Sequence, residues 1–135
     1  MLTPKRVMRA VLAANMVGIG LLHFVAGDIF IQIVPPFLPW PLALVWISGA
    51  CEIALGVLLL PPVTRRYAGL LLVALYVAVF PANIYMAMNN VQVNGLPTWL
   101  TQPSQLALWL RLPVQLGLIN WALWVSKPDR TAAAT

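Results

Sequence analysis

The sequence predicts an all-α membrane protein, a four-transmembrane-helix bundle with both termini in the cytoplasm. Three observations lead there. First, 61% of the residues are hydrophobic and 8% charged, with a mean hydropathy of +0.88, whereas roughly a quarter of the residues of a soluble domain are charged. Second, 135 residues hold four apolar runs of about 20 residues, the length that crosses a bilayer. Those runs leave no room for a soluble catalytic domain. Third, Lys5, Arg6, Arg9, Arg65, Arg66, Lys127 and Arg130 all fall on one side of this topology, and the two opposite loops hold no Lys or Arg. The positive-inside rule places that basic side in the cytoplasm.

The same charges exclude other classes. The net charge of +5 sits in small basic clusters beside apolar runs, so the expected partner is the lipid bilayer and not nucleic acid. The single cysteine, Cys51, rules out an internal disulfide or a C-x-x-C redox pair. With one His and one Cys there is no metal or haem ligand set. The expected location is the cell's cytoplasmic (inner) membrane.

The first span is expected over about residues 10–26, after Lys5, Arg6 and Arg9. Its apolar core exceeds that of a signal peptide and meets no small-x-small site, so the reading is a retained helix. Residues 28–41 carry Pro35, Pro36, Pro39 and Pro41 and cannot form a span, because proline breaks the helical ladder. They read as an interfacial loop: Asp28 caps a short turn, Phe30, Ile33 and Val34 dip into the acyl boundary, and Trp40 lies at headgroup level.

The second span, about 42–60, stops at Pro61-Pro62, and Arg65-Arg66 lie in the turn. The third, about 67–88, contains Pro81, which frees the carbonyl of Val77. Residues 89–105 read as a loop with Trp99-Leu100 on the interface. The fourth span, about 104–125, contains Pro113, and the four-helix domain closes at residue 126. Residues 127–135 read as a polar cytoplasmic tail, expected to fray from Asp129 to Thr135.

Five polar side chains fall within the non-cytoplasmic half of the spans: His23, Glu52, Asn83, Arg111 and Gln115. At 1.5 Å rise per residue, His23, Asn83 and Arg111 lie on the order of 7 to 10 Å below the far surface and Glu52 about 15 Å. Side chains lean toward their own helix N-terminus, which brings His23, Asn83 and Glu52 to a common depth. A lone acid in a lipid-facing span costs roughly 2.5 to 3.5 kcal/mol, so Glu52 should face protein and take Arg111 as counter-ion. These groups outline a small polar cavity in that half. The plainer alternatives are that Arg111 snorkels, that His23 is neutral and bonded to a backbone carbonyl, and that Asn83 and Gln115 join helices. Gly49 and Gly56 supply small surfaces for helix packing. Asn120, about 180° around the fourth helix from Arg111, marks a face for a homo-oligomer.

The ordered motifs Gly20-Leu-Leu-His23-Phe24, Phe30-x-x-Ile33-Val34-Pro35, Ser48-Gly49-x-x-Glu52-x-x-x-Gly56, Arg65-Arg66, Val79-Phe80-Pro81-Ala82-Asn83-Ile84 and Arg111-Leu112-Pro113-x-Gln115 resemble the DoxX family of small four-helix membrane proteins. The resemblance runs from about Gly20 to Trp124. It implies the four-helix architecture and the importance of His23, Glu52, Asn83 and Arg111. Members of that family are linked to thiosulfate:quinone oxidation, methylamine utilisation and membrane oxidoreductase complexes, and distant animal relatives are assembly chaperones for receptor channels.

The first functional expectation is therefore an accessory subunit of a membrane redox or respiratory system, partnered by an oxidoreductase subunit and holding a quinone-like headgroup. The alternative is a non-enzymatic scaffold or assembly factor. A small-solute or proton transporter is a third reading, weakened by the lack of inverted repeats.

Overall fold

The computed structural model describes residues 3–95, 97 and 104–129. Among these the chain forms five helices: α1 (Pro4–Val25), α2 (Gly27–Ile31), α3 (Pro41–Leu58), α4 (Arg65–Asn89) and α5 (Gln105–Ser126). All but α2 are long and apolar enough to cross a membrane, with mean hydropathies of 1.6, 1.8, 2.0 and 1.3 in chain order.

Local chemistry sets the helix ends. The first helix begins at Pro4, not near residue 10, because the Thr3 side chain accepts a bond from the Arg6 amide at 3.3 Å and Pro4 occupies the first turn. Proline is tolerated there because that turn's N–H has no partner to lose. Lys5, Arg6 and Arg9 consequently ride on the helix. Helix α3 opens at Pro41 after Trp40, whose φ of 51° is left-handed. A bulky residue held there stores on the order of 1–3 kcal/mol of backbone strain. Arg65 and Arg66, read from the sequence as a turn, form the first turn of α4, which contains no acidic residue. Helix α4 ends at Asn90, with φ of 48°, a conformation that asparagine accepts more readily than most residues. Ser104 caps α5, its hydroxyl accepting from the Ala107 amide at 3.2 Å. Trp99, Leu100 and Arg130 lie outside the described residues.

The proline-rich segment differs from its expected form. Asp28 sits within the first turn of α2, and no side chain caps that helix. Ile29 and Ile33 pack with Met86, Ala87, Val93 and Leu108, covering one end of the α4–α5 pair. Ile33 therefore spends its apolar surface on protein, where the sequence alone suggested the acyl boundary.

Helix α1 lies along α3 and α4 along α5, while α3 to α4 and α1 to α5 are the narrower seams. Small residues make the first pairing close. A Cβ built at Gly56 would lie 2.9 Å from Ala13 O, and one at Gly20 would lie 2.6 Å from Gly49 O. Close backbone approach matters more in lipid than in water, since apolar side chains gain little by leaving acyl chains for one another. Leu12, Met16, Leu59, Leu72, Tyr76, Ala122 and Val125 fill the centre. Val25, Ile47, Leu71 and Leu116 stay exposed, as lipid-facing residues must in a spanning helix.

The tail does not start out frayed. Lys5 Nζ donates to the carbonyls of Lys127 and Pro128 at 2.8 and 3.0 Å. Arg6, Arg9 and Arg65 all reach the Asp129 carboxylate. The starts of α1 and α4 and the end of α5 are thereby tied together.

Candidate polar site between the long helices

Glu52, in the middle of α3, faces His23 of α1. His23 Nδ1 lies 3.4 Å from Glu52 Oε2. The same nitrogen lies 2.8 Å from the Ile19 carbonyl one turn back. A carbonyl only accepts, so Nδ1 carries the proton and Nε2 is left free to accept. His23 is buried at 7% exposure, and Glu52 Oε2 is buried without a hydrogen-bond partner. An unpaired carboxylate oxygen in such a place costs several kcal/mol or calls for a proton or a donor.

The chain places these groups through two short-range features. Gly49, one turn before Glu52, lets α1 approach so closely that a Cβ there would lie 2.5 Å from His23 Cβ. Helix α2 then folds back so that the Phe30 ring stacks on the imidazole, centroids 3.9 Å apart and planes inclined by 24°. Phe30 is thus a wall of the site, where the sequence suggested a residue dipped into lipid.

A second polar set joins α4 to α5. Asn83 Nδ2 donates to Gln115 Oε1 at 2.6 Å. Gln115 Nε2 donates in turn to the Tyr76 carbonyl. Pro81 was expected to free the carbonyl of Val77, and the side chain that comes to the weakened ladder bonds one residue earlier. Tyr76 also donates its hydroxyl to Met16 Sδ on α1, at 3.1 Å, and so ties α4 to α1 as well as to α5.

Arg111 belongs to neither set. Among the described residues its guanidinium donates to Met86 Sδ at 3.8 Å and makes no ion pair with Glu52. It is exposed, so the expected Glu52–Arg111 pair is corrected to Glu52–His23. The physical reason is proximity: the close α1–α3 crossing brings the His23 imidazole to 3.4 Å from Glu52, whereas Arg111 on α5 turns its guanidinium to Met86 Sδ. The five expected residues thus separate into His23 with Glu52, Asn83 with Gln115, and Arg111 alone. Asn120 is exposed and bonds back to the Leu116 carbonyl of its own helix at 3.0 Å.

Tyr76 and Phe30 were absent from the sequence-derived site. A lone phenol inside an otherwise apolar run was the available signal for Tyr76, because a buried hydroxyl needs a partner. Nothing in the spacing of Phe30 signalled the fold-back of α2. Among the described residues no three potential metal-ligating side chains gather.

No curated protein and no solved structure matches the chain. The profile of a family described as a domain of unknown function, DUF8561, matches residues 12–126 and so contains every residue of this site. The chain belongs to the DUF8561 family.

Proposed function

We propose that this chain is a DoxX-like accessory subunit of a quinone-linked redox or respiratory system, a four-helix bundle in the cell's cytoplasmic membrane with both termini cytoplasmic. In this reading the His23–Glu52 pair lies in the non-cytoplasmic half and receives a small polar or quinone-like headgroup. The observation that carries the reading is the buried Glu52 Oε2, which accepts no hydrogen bond beside an imidazole whose Nε2 is free. A headgroup hydroxyl supplies the donor that this oxygen lacks, and the Phe30 ring gives the site an aromatic wall. A quinone, when bound, supplies two-electron, two-proton redox chemistry. The chain's own part is to orient the ring and hold one exchangeable proton between carboxylate and imidazole. With the groups 3.4 Å apart, one shared proton leaves the pair net neutral whichever partner holds it, so no isolated charge is left in the membrane.

The seven basic residues on the termini side support the orientation through the positive-inside rule. The DoxX-like motifs support the redox association by resemblance.

The test is to purify the protein from its native membrane and identify bound small molecules and chains by mass spectrometry. A co-isolated quinone or dehydrogenase subunit, lost in Glu52→Gln, is the expected result. A preparation carrying neither, together with unchanged respiration on reduced-sulfur or amine donors in Glu52→Gln cells, overturns the reading.

A second reading, a non-enzymatic scaffold or assembly factor, is favoured by one observation. Asn83, Gln115 and the Tyr76 carbonyl satisfy one another between α4 and α5 and offer nothing to a ligand. On that reading His23→Gln with Glu52→Gln leaves cellular function intact wherever the double variant folds.

A further inference from the structure

Where the starts of α1 and α4 meet the end of α5, the chain forms a half-open pocket of about 750 Å³. That volume falls within the range of small-molecule sites, roughly 300–1,000 Å³. Arg6, Arg9, Arg65 and Arg66 line it, and Asp129 is the one acid among its lining residues. A positive-inside topology requires only that basic residues lie near the membrane surface, where they can stay solvated. Here two of the four are drawn inward: the side chains of Arg9 and Arg65 are 4% and 12% exposed.

The single carboxylate does not satisfy this cluster. Arg9 holds Asp129 Oδ1 at 2.9 Å, but Arg6 and Arg65 share Oδ2, each at 3.4 Å. A guanidinium fork normally meets an oxyanion at about 2.7–2.9 Å through two parallel bonds. Two oxygens cannot offer that geometry to three forks at once. Arg65 Nε is left buried without a hydrogen-bond partner, and Arg66 makes no hydrogen bond or ion pair among the described residues. Helix α4 adds to the excess, since its first turn begins with Arg65-Arg66 and contains no acid, so the positive end of the helix dipole is uncompensated there.

We propose that this pocket binds a phosphate group, with Asp129 as an internal carboxylate that the phosphate displaces or joins. Free phosphate presents three or more oxygens to the cluster, and a diester headgroup two non-bridging oxygens that add to the two of Asp129, so that either gives Arg6, Arg65 and Arg66 the further acceptors they need for short charge-assisted bonds. Arg9 remains anchored by its bond to the Val125 carbonyl at 2.8 Å. The wall beside the arginines is apolar, with Val63 at 83% and Tyr67 at 71% exposure. Because the site lies at the ends of three spanning-length helices, it is level with lipid headgroups. The phosphate therefore comes from an anionic phospholipid or from a free phosphate in the adjoining solution.

The experiment uses the full chain in nanodiscs of two compositions. One arm contains phosphatidylcholine with increasing phosphatidylglycerol, and the other phosphatidylcholine alone with added inorganic phosphate. Thermal stability and native mass spectrometry are read in both. Saturable stabilisation with one or two retained phosphatidylglycerol molecules identifies a lipid site, and saturable stabilisation by inorganic phosphate identifies a soluble ligand. In whichever arm responds, Arg65→Gln with Arg66→Gln weakens binding at least tenfold. Asp129→Asn tightens it several-fold, because the competing carboxylate is gone, whereas a purely structural ion cluster would gain no affinity from that change. Arg111→Gln, at a distant site, leaves binding unchanged. No saturable response in either arm, or a response that Asp129→Asn and the arginine pair leave unaltered, overturns the proposal.

Discussion

Replacing Gly49 by alanine tests whether one close helix crossing holds the polar site together. The added Cβ would lie 2.5 Å from His23 Cβ, 2.9 Å from Gly20 O and 3.2 Å from His23 Cγ. Carbon atoms reach their favourable separation near 3.5–4.0 Å, so α1 must retreat by about 1 Å. The two nearest atoms are a backbone oxygen and the first carbon of a side chain, which no rotamer change can move. Overpacking of this kind costs typically 1–3 kcal/mol. The retreat also loosens the approaches at Gly20 and Gly56 and draws His23 away from Glu52, now 3.4 Å apart. In a thermal melt in nanodiscs the expected loss is roughly 3–10 °C on the scale of a domain this size. Gly18→Ala and Gly117→Ala are the controls, because a Cβ at either position meets nothing within 4 Å. They should be neutral or slightly stabilising, since alanine favours the helix over glycine. A Gly49→Ala protein as stable as Gly18→Ala would refute the argument.

Two further predictions concern the second polar set and the basic end. Gln115→Leu removes the bonds to Asn83 and to the Tyr76 carbonyl; its loss of stability, about 0.6–1.7 kcal/mol for an interhelical hydrogen bond in lipid, should shrink when Asn83→Leu is added. Additive losses in that double-mutant cycle would show that the pair does not couple the helices. Asp129 is held down to a pKa of about 2, chiefly by the Arg9 hydrogen bond, against about 3.9 for a free aspartate. A depressed folded-state value gives stability that is complete above about pH 4 and lost as the pH falls through about 2. The melting difference between the native chain and Asp129→Asn should therefore stay constant from about pH 5 to 8 and fade toward pH 2. A difference that changes between pH 6 and 8 would assign the effect to another group.

The helices were legible because each is long and hydrophobic enough to declare itself, and their ends carried readable punctuation in Pro61-Pro62 and Ser104. The helix of the first span extends further than its apolar run, because Thr3 and Pro4 begin it beneath the basic residues. Gly49 and Gly56 signalled close packing by size alone, and the structure puts Gly20 opposite Gly49 at that crossing. The polar residues were identifiable one by one, since a charge or amide within an apolar run stands out. Their partners were not, because depth along a helix follows from counting residues, but rotation about the axis and the distance between helices do not.

By itself the sequence determined that the chain has four helices of spanning length and which polar groups lie within them, because hydropathy and helical rise are local properties. The tertiary structure alone decided that Glu52 meets His23 and not Arg111, that Phe30 folds onto the imidazole, and that Asp129 lies among three arginines. Each of those contacts joins residues from different helices, or from a helix and the chain beyond its end. Which partners meet is fixed by how closely glycines let backbones approach, a balance of packing and desolvation that no single segment carries.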